Sequence, residues 1–188
     1  MNGQQQNYNI IIDCNYTLEE AVAGLEFPKD ILDDLVLVDV KYYSFDNKIH
    51  KGQIIVHSEL KRDIIEIFDE QLKVHFPIEK VIPIVKYNWS DELSMQNNNS
   101  SGFNYRFVAG TNRLSNHSNG CAVDINPKQN PQIIEGTASP SGSVYDIKTK
   151  GTIDKNSIVV KLFKMKGWNW GGDWKTRTDY QHFEKLIE

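Results

Sequence analysis

The sequence predicts a single α+β domain: a small antiparallel sheet with helices packed on one face. Three observations predict it. Leu35 to Tyr43 and Ile49 to His57 are rich in strand-forming residues and are separated by the turn Phe45-Asp46-Asn47-Lys48, the pattern of a hairpin. Leu60, Ile64, Ile67, Phe68 and Leu72 fall at helical spacing. No repeat or linker divides the 188 residues, a length that suits one domain with its own core.

The elements follow in order. Thr17-Leu18-Glu19-Glu20 has the capping-box pattern, in which hydroxyl and carboxylate satisfy the free amides at a helix start, so a short helix runs to about Leu25. Pro28 suits the first turn of a second short helix, to about Leu35. After the hairpin, a helix spans Glu59 to Phe76 and Pro77 ends it. Lys80 to Tyr87 reads as a strand, with Pro83 marking an edge or bulge. The Asn- and Ser-rich stretch Ser90 to Gly102 reads as a loop, and Phe103 to Ala109 and Cys121 to Asn126 as strands. The segment 127–156 is long and contains Pro, Gly and Ser, and is expected to border or cover a cleft. Ser157 caps a helix whose buried stripe is Ile158, Val159, Leu162, Phe163 and Met165, and Gly167 ends it. The last segment, Gly167 to Phe183, is aromatic and finishes in a short strand. Residues 1–15 read as a tail and first segment, and 16–188 as the domain.

Composition narrows the function. Hydrophobic residues make up 39% and charged residues 24%, with a net charge of −4. A protein that binds nucleic acid non-specifically needs a basic face, so that class is disfavoured. No apolar run approaches the roughly 18 residues of a membrane span. Two cysteines, Cys14 and Cys121, cannot build a disulfide-rich scaffold or a four-thiolate zinc site. The polar start, Met1 to Asn7, lacks the basic and apolar stretches of an export signal, so the expectation is a cytoplasmic protein or a removed leader. Five histidines remain as the pool for imidazole chemistry: His50, His57, His75, His117 and His182.

Two of them sit in suggestive surroundings. In Ser115-Asn116-His117-Ser118-Asn119-Gly120-Cys121-Ala122-Val123-Asp124, an extended stretch from Cys121 puts Ala122, Asp124 and Asn126 on one face. Cys121, Val123 and Ile125 share the other. Gly120 permits a sharp turn, so His117 can fold back over the start of that strand. A catalytic zinc takes three protein ligands and keeps one position open. His117 and Asp124 supply two, and the C-terminal Asp179-Tyr180-Gln181-His182-Phe183-Glu184 offers His182 as the third. Asp179, three residues earlier, can serve as general base and acid for a water activated by the metal. The same spacing also fits a structural histidine with two solvated acids.

The wider pattern is Ser-x-His-x-x-Gly-x-Ala-x-Asp, then Trp170-Gly171-Gly172-Asp173-Trp174, then Asp-x-x-His-Phe-Glu. It resembles the D-alanyl-D-alanine carboxypeptidase and dipeptidase family of zinc peptidases, especially the branch with L-alanyl-D-glutamate endopeptidases, over roughly residues 88–184. The resemblance implies the fold those enzymes share with Hedgehog signalling domains. It also implies a Zn2+ cofactor held by His117, Asp124 and His182, with Asp179 as catalytic acid/base. An arginine that stabilises the oxyanion is implied too; Arg106 is the best match and Arg113 a competitor. The implied substrate is the peptide stem of peptidoglycan, cut at D-Ala-D-Ala or at L-Ala-D-Glu by a monomeric enzyme in the cell envelope or secreted. Because Hedgehog domains share the metal site, a zinc-containing binding module without catalysis is the rival reading.

Other residues carry open readings. Ser115 can contact substrate or cap the loop. Trp170 can line a peptide groove or join the core, where Trp168 is placed. Gly171-Gly172 would let the chain pass close to the metal site. Asp173 can hydrogen-bond a ligand histidine or belong to a turn. Cys121 reads as a buried hydrophobe, and His50, His57 and His75 as structural or surface imidazoles.

Overall fold

The computed structural model describes residues 9–187; the polar stretch Met1 to Asn7 lies outside them. The chain is a mixed α/β domain with several small sheets. Its first strand, β1 (Ile11–Ile12), pairs parallel with the second hairpin strand, so this part of the expected tail is bound into the fold. Two short helices follow, α1 (Leu18–Ala21) and α2 (Lys29–Asp34). The capping box is complete: the Thr17 hydroxyl accepts from the Glu20 amide, and the Glu20 carboxylate from the Thr17 amide.

β2 (Leu35–Tyr43) and β3 (Ile49–His57) form the long hairpin with the bounds the sequence predicts. Alternation along them builds two cores. Val38, Val40, Tyr42, Ile54 and Val56 face α3 (Lys61–Lys73), whose Ile64, Ile67 and Phe68 pack on them. Leu35 and Ile55 face the other way, onto Ala21 of α1 and Phe103. Helices therefore cover both faces of the hairpin, not the single face expected, because β3 is apolar on both sides. Helix α3 ends before Pro77 is reached. His75 takes a left-handed conformation (φ 53°), and the Phe76 amide reaches back to the Gln71 carbonyl, which closes the last turn.

Three expectations in the middle of the chain are corrected. β4 (Lys80–Val81) stops after two residues, because Pro83 cannot donate to a ladder and starts a 3-10 turn over Ile84–Tyr87. The supposed loop contains α4 (Asp91–Gln96), with the Ser90 hydroxyl accepting from the Leu93 amide and two acids in the first turn. It also contains β5 (Asn99–Ser100), paired with β4. Residues 103–109 form no strand; only Phe107 bridges to Leu114.

β6 (Ala122–Asp124) keeps the predicted parity: Val123 and Ile125 enter the core with Cys121, while Asp124 faces the other way. The long segment 127–156 holds a hairpin of β7 (Gln132–Ile134) and β8 (Thr137–Ser139). Asn130 ties that segment down by donating to the Ile125 and Gly151 carbonyls. Helix α5 (Ile158–Met165) buries Val159, Val160 and Phe163, but Ile158 is 38% and Met165 83% exposed, so both leave the predicted stripe. Phe163 stacks on Phe183 at 4.0 Å, and full burial of such a ring stabilises the fold by about 1.5–3 kcal/mol. The C-terminal strands are β9 (Asn169–Trp170), β10 (Thr178–Asp179) and β11 (His182–Glu184). β10 pairs with β7, and β11 lies between β6 and β9 in an antiparallel sheet. Among the described residues no helix is long and apolar enough to cross a membrane.

Candidate metal centre

Strand pairing brings the distant segments together. β11 and β6 are in a register that puts His182 directly opposite Asp124, and opposed side chains of an antiparallel pair come within contact. His117 arrives from the 3-10 turn Asn116–Asn119, which Ser115 caps and Gly120 ends in a left-handed conformation (φ 67°). A side chain at Gly120 would strike the His57 amide, so both the space and the left-handed backbone call for glycine here.

The three side chains converge. His117 Nε2 lies 3.3 Å from Asp124 Oδ2, His182 Nδ1 lies 3.0 Å from Asp124 Oδ1, and the two nitrogens are 3.3 Å apart. All three residues are buried. Zinc bonds of about 2.0–2.1 Å in tetrahedral geometry require ligand atoms roughly 3.3 Å apart, so the donor set fits such an ion. Both rings are also oriented for it. His117 Nδ1 donates to the Gly102 carbonyl at 2.6 Å, and His182 Nε2 to Glu184 Oε2 at 3.0 Å. With a metal bound, each ring would keep its proton on the far nitrogen and turn the other towards the common space. Glu184 is steadied in turn by Asn116 Nδ2 at 2.7 Å.

The electrostatics favour a cation at this point. Burial alone would raise the Asp124 carboxyl, but the adjacent His117 and His182 hold it well below the usual carboxylate range. Burial alone would lower His182, and the Asp124 and Glu184 carboxylates outweigh it, raising the imidazole to about 10. A metal bound here would therefore compete with a proton.

Asp179 completes the group. Burial, with the charge of Asp124 adding to it, pushes its carboxyl up to about 6. Oδ2 accepts from Gln132 Nε2 at 2.6 Å, whereas Oδ1 is buried without a partner. Gly171 lets its own turn pass close to β10 and β11: a Cβ there would lie 2.6 Å from the Asp179 carbonyl oxygen and 3.3 Å from His182 Cβ. This is the close passage expected of the Gly-Gly pair.

The cleft over this group has a volume of about 240 Å³. Arg106, Arg113, Ser115, Gln132, Trp174 and Arg177 line it with the residues above. The Ser118 hydroxyl accepts from the Arg106 amide and donates to its carbonyl, which fixes Arg106 beside the His117 turn. Its guanidinium pairs with Asp91 at 2.9 Å, and its Nε has no partner. Ser115 caps the turn, accepting from the His117 amide at 3.3 Å. Trp170 is corrected: it is 3% exposed, sits in the core and donates Nε1 to the Tyr180 carbonyl, so the cleft wall has Trp174 instead. Asp173 pairs with Lys164 at 2.6 Å, and Glu184 is the carboxylate on a ring nitrogen.

His50 is engaged by Asp13 and Asp46, His57 caps a 3-10 turn, and His75 stacks on Tyr43. Both cysteines are free, and burial pushes the Cys121 thiol up. Glu184 and Gln132 were missed from sequence. Glu184 had a signal, since it lies two residues beyond His182 on the same strand face. Replacing Glu184 by Gln is expected to weaken metal binding by roughly 10–100-fold, measured by competition with a chromogenic chelator.

Two buried imidazoles and one carboxylate, with the Asp179 carboxyl beside them, form a group that could hold a metal ion. The match to known proteins runs over the same stretch. Residues 109–185, which contain His117, Asp124, Asp179 and His182 but not Arg106, match the family model of D-alanyl-D-alanine carboxypeptidase. No solved structure matches the chain.

Proposed function

We propose that this protein is a zinc-dependent peptidase that hydrolyses the peptide stems of peptidoglycan, at D-Ala-D-Ala or L-Ala-D-Glu. The observation that carries the reading is the convergence of His117, Asp124 and His182 beside the unpartnered Oδ1 of Asp179, within a stretch that matches a peptidase family. When bound, zinc supplies Lewis acidity and lowers the pKa of a water towards about 7. His117 and His182 would hold it as neutral ligands, fixed by Gly102 and Glu184, and Asp124 would balance its charge.

Asp179 carries the proton. Its free Oδ1 takes one from the attacking water and returns it to the leaving amine, while Gln132 holds Oδ2 still. A carboxyl raised to about 6 is suited to both directions near neutral pH. Arg106 steadies the negative charge that develops on the carbonyl oxygen, with Asp91 fixing its guanidinium. Ser115 acts on substrate through the turn it caps. The enzyme is proposed to act as a monomer. Its substrate class places it in the cell envelope or outside the cell.

The test is mass spectrometry of products from defined muropeptides, with metal content measured on the same preparation. One zinc per chain and cleavage at a single stem bond are expected. A protein that holds zinc and leaves every stem intact is instead a binding module.

A further inference from the structure

We propose that Arg177, stacked on Trp174, anchors a substrate carboxylate and makes the cleft prefer acidic stem peptides to their amidated forms. The proposal rests on the peptidase reading for its substrate class. Three guanidiniums line the cleft, those of Arg106, Arg113 and Arg177. Asp91 neutralises Arg106 at 2.9 Å. Among the described residues no ion pair joins Arg113 or Arg177 to a carboxylate. Arg113 acts on Glu184 only at longer range, helping to hold its carboxyl low, and Arg177 has no carboxylate in ion-pair contact among the described residues.

Arg177 differs from Arg113 in how it is held. Arg113 is exposed, whereas Arg177 is half-buried with its guanidinium carbon 4.9 Å from the centre of the Trp174 ring. The Trp174 ring is in turn 5.2 Å from that of His182. The cation is therefore held by stacking within two rings of the metal ligands. Stacking occupies the face of a guanidinium and leaves its edge donors for a planar, two-bond match to a carboxylate. Exclusion of water by the indole strengthens that pairing. Arg113, reaching from the loop before His117, adds positive field without fixed geometry.

The experiment uses a synthetic stem pentapeptide in four forms: the D-glutamate α-carboxyl free or amidated, combined with the C-terminal carboxyl free or amidated. Affinity is read by calorimetry on the Asp179→Asn protein, so that binding is seen without turnover. One of the two carboxyls is expected to improve binding by roughly 10–100-fold over its amide, the range of a hydrogen bond between charged groups. Arg177→Gln in the same background should bring that ratio close to one and change the amide's affinity little. Arg177→Lys should restore only part of it, and Arg113→Gln should weaken all forms together. Equal affinity for acid and amide, binding of neither, or a ratio that survives Arg177→Gln overturns the anchor. Wild-type kcat/KM separates the two ideas. Equal cleavage of acid and amide sinks the anchor and keeps the peptidase; acid-selective binding with no cleavage does the reverse.

Discussion

Asp124→Ala is expected to abolish stoichiometric zinc binding, with a loss well beyond the roughly 10–100-fold that removal of an outer partner costs. Asp124 is the residue that both imidazoles face, with one oxygen towards each. Its removal deletes a ligand and also leaves His182 with Glu184 as its remaining hydrogen-bonded carboxylate. Breaking a buried charged group in this way costs about 3–5 kcal/mol even without metal. Elemental analysis and thermal unfolding of the metal-free and zinc-loaded forms would check both effects. The protein should stay metal-free, and its melting temperature should fall below that of the metal-free wild type. The proton on His182 adds a pH signature to the wild type. Because the carboxylates raise that imidazole to about 10, metal uptake at neutral pH displaces a proton. Apparent zinc affinity should therefore rise as pH rises and fall as it is lowered, with proton release visible in calorimetry across buffers of different ionisation enthalpy.

Asp179→Asn is expected to lower kcat by about 10²–10⁴-fold, the usual contribution of a positioned acid/base, and to leave zinc content unchanged. The amide occupies nearly the same volume and cannot accept or return a proton. It also removes a buried carboxyl that burial, with the charge of Asp124 adding to it, holds above the usual carboxylate range. Stability should consequently be held or improved while activity collapses. A variant that loses zinc, or that keeps full turnover of a muropeptide, would falsify the assignment of Asp179 as proton carrier.

The parts of this protein legible in the sequence are those whose cause is local. The hairpin of β2 and β3 has its predicted bounds because its strand-forming runs are long and a turn separates them. Strand parity and Gly120 made His117 and Asp124 legible as possible neighbours, equally compatible with a structural histidine. It is the resemblance to zinc peptidases that singles out the set with His182, which the structure brings together. Features set by tertiary contact were not. The acceptor for His117 is a backbone carbonyl, Gly102, which leaves no mark on residue identity. Gln132 reaches Asp179 only because β7 pairs with β10. Trp170 and Trp174 look alike in sequence, and only the sheet edge decides that the first enters the core and the second the cleft. Helix α4 was hidden by Asn and Ser, although Ser90-Asp91-Glu92 carries a helix-start signal.

The pairing of β11 with β6 has a consequence for how the chain matures. His182 and Asp124 meet only in one alignment, and a slip of one residue would turn His182 to the opposite side of its strand. A cation held between the two side chains would therefore favour this alignment over its neighbours.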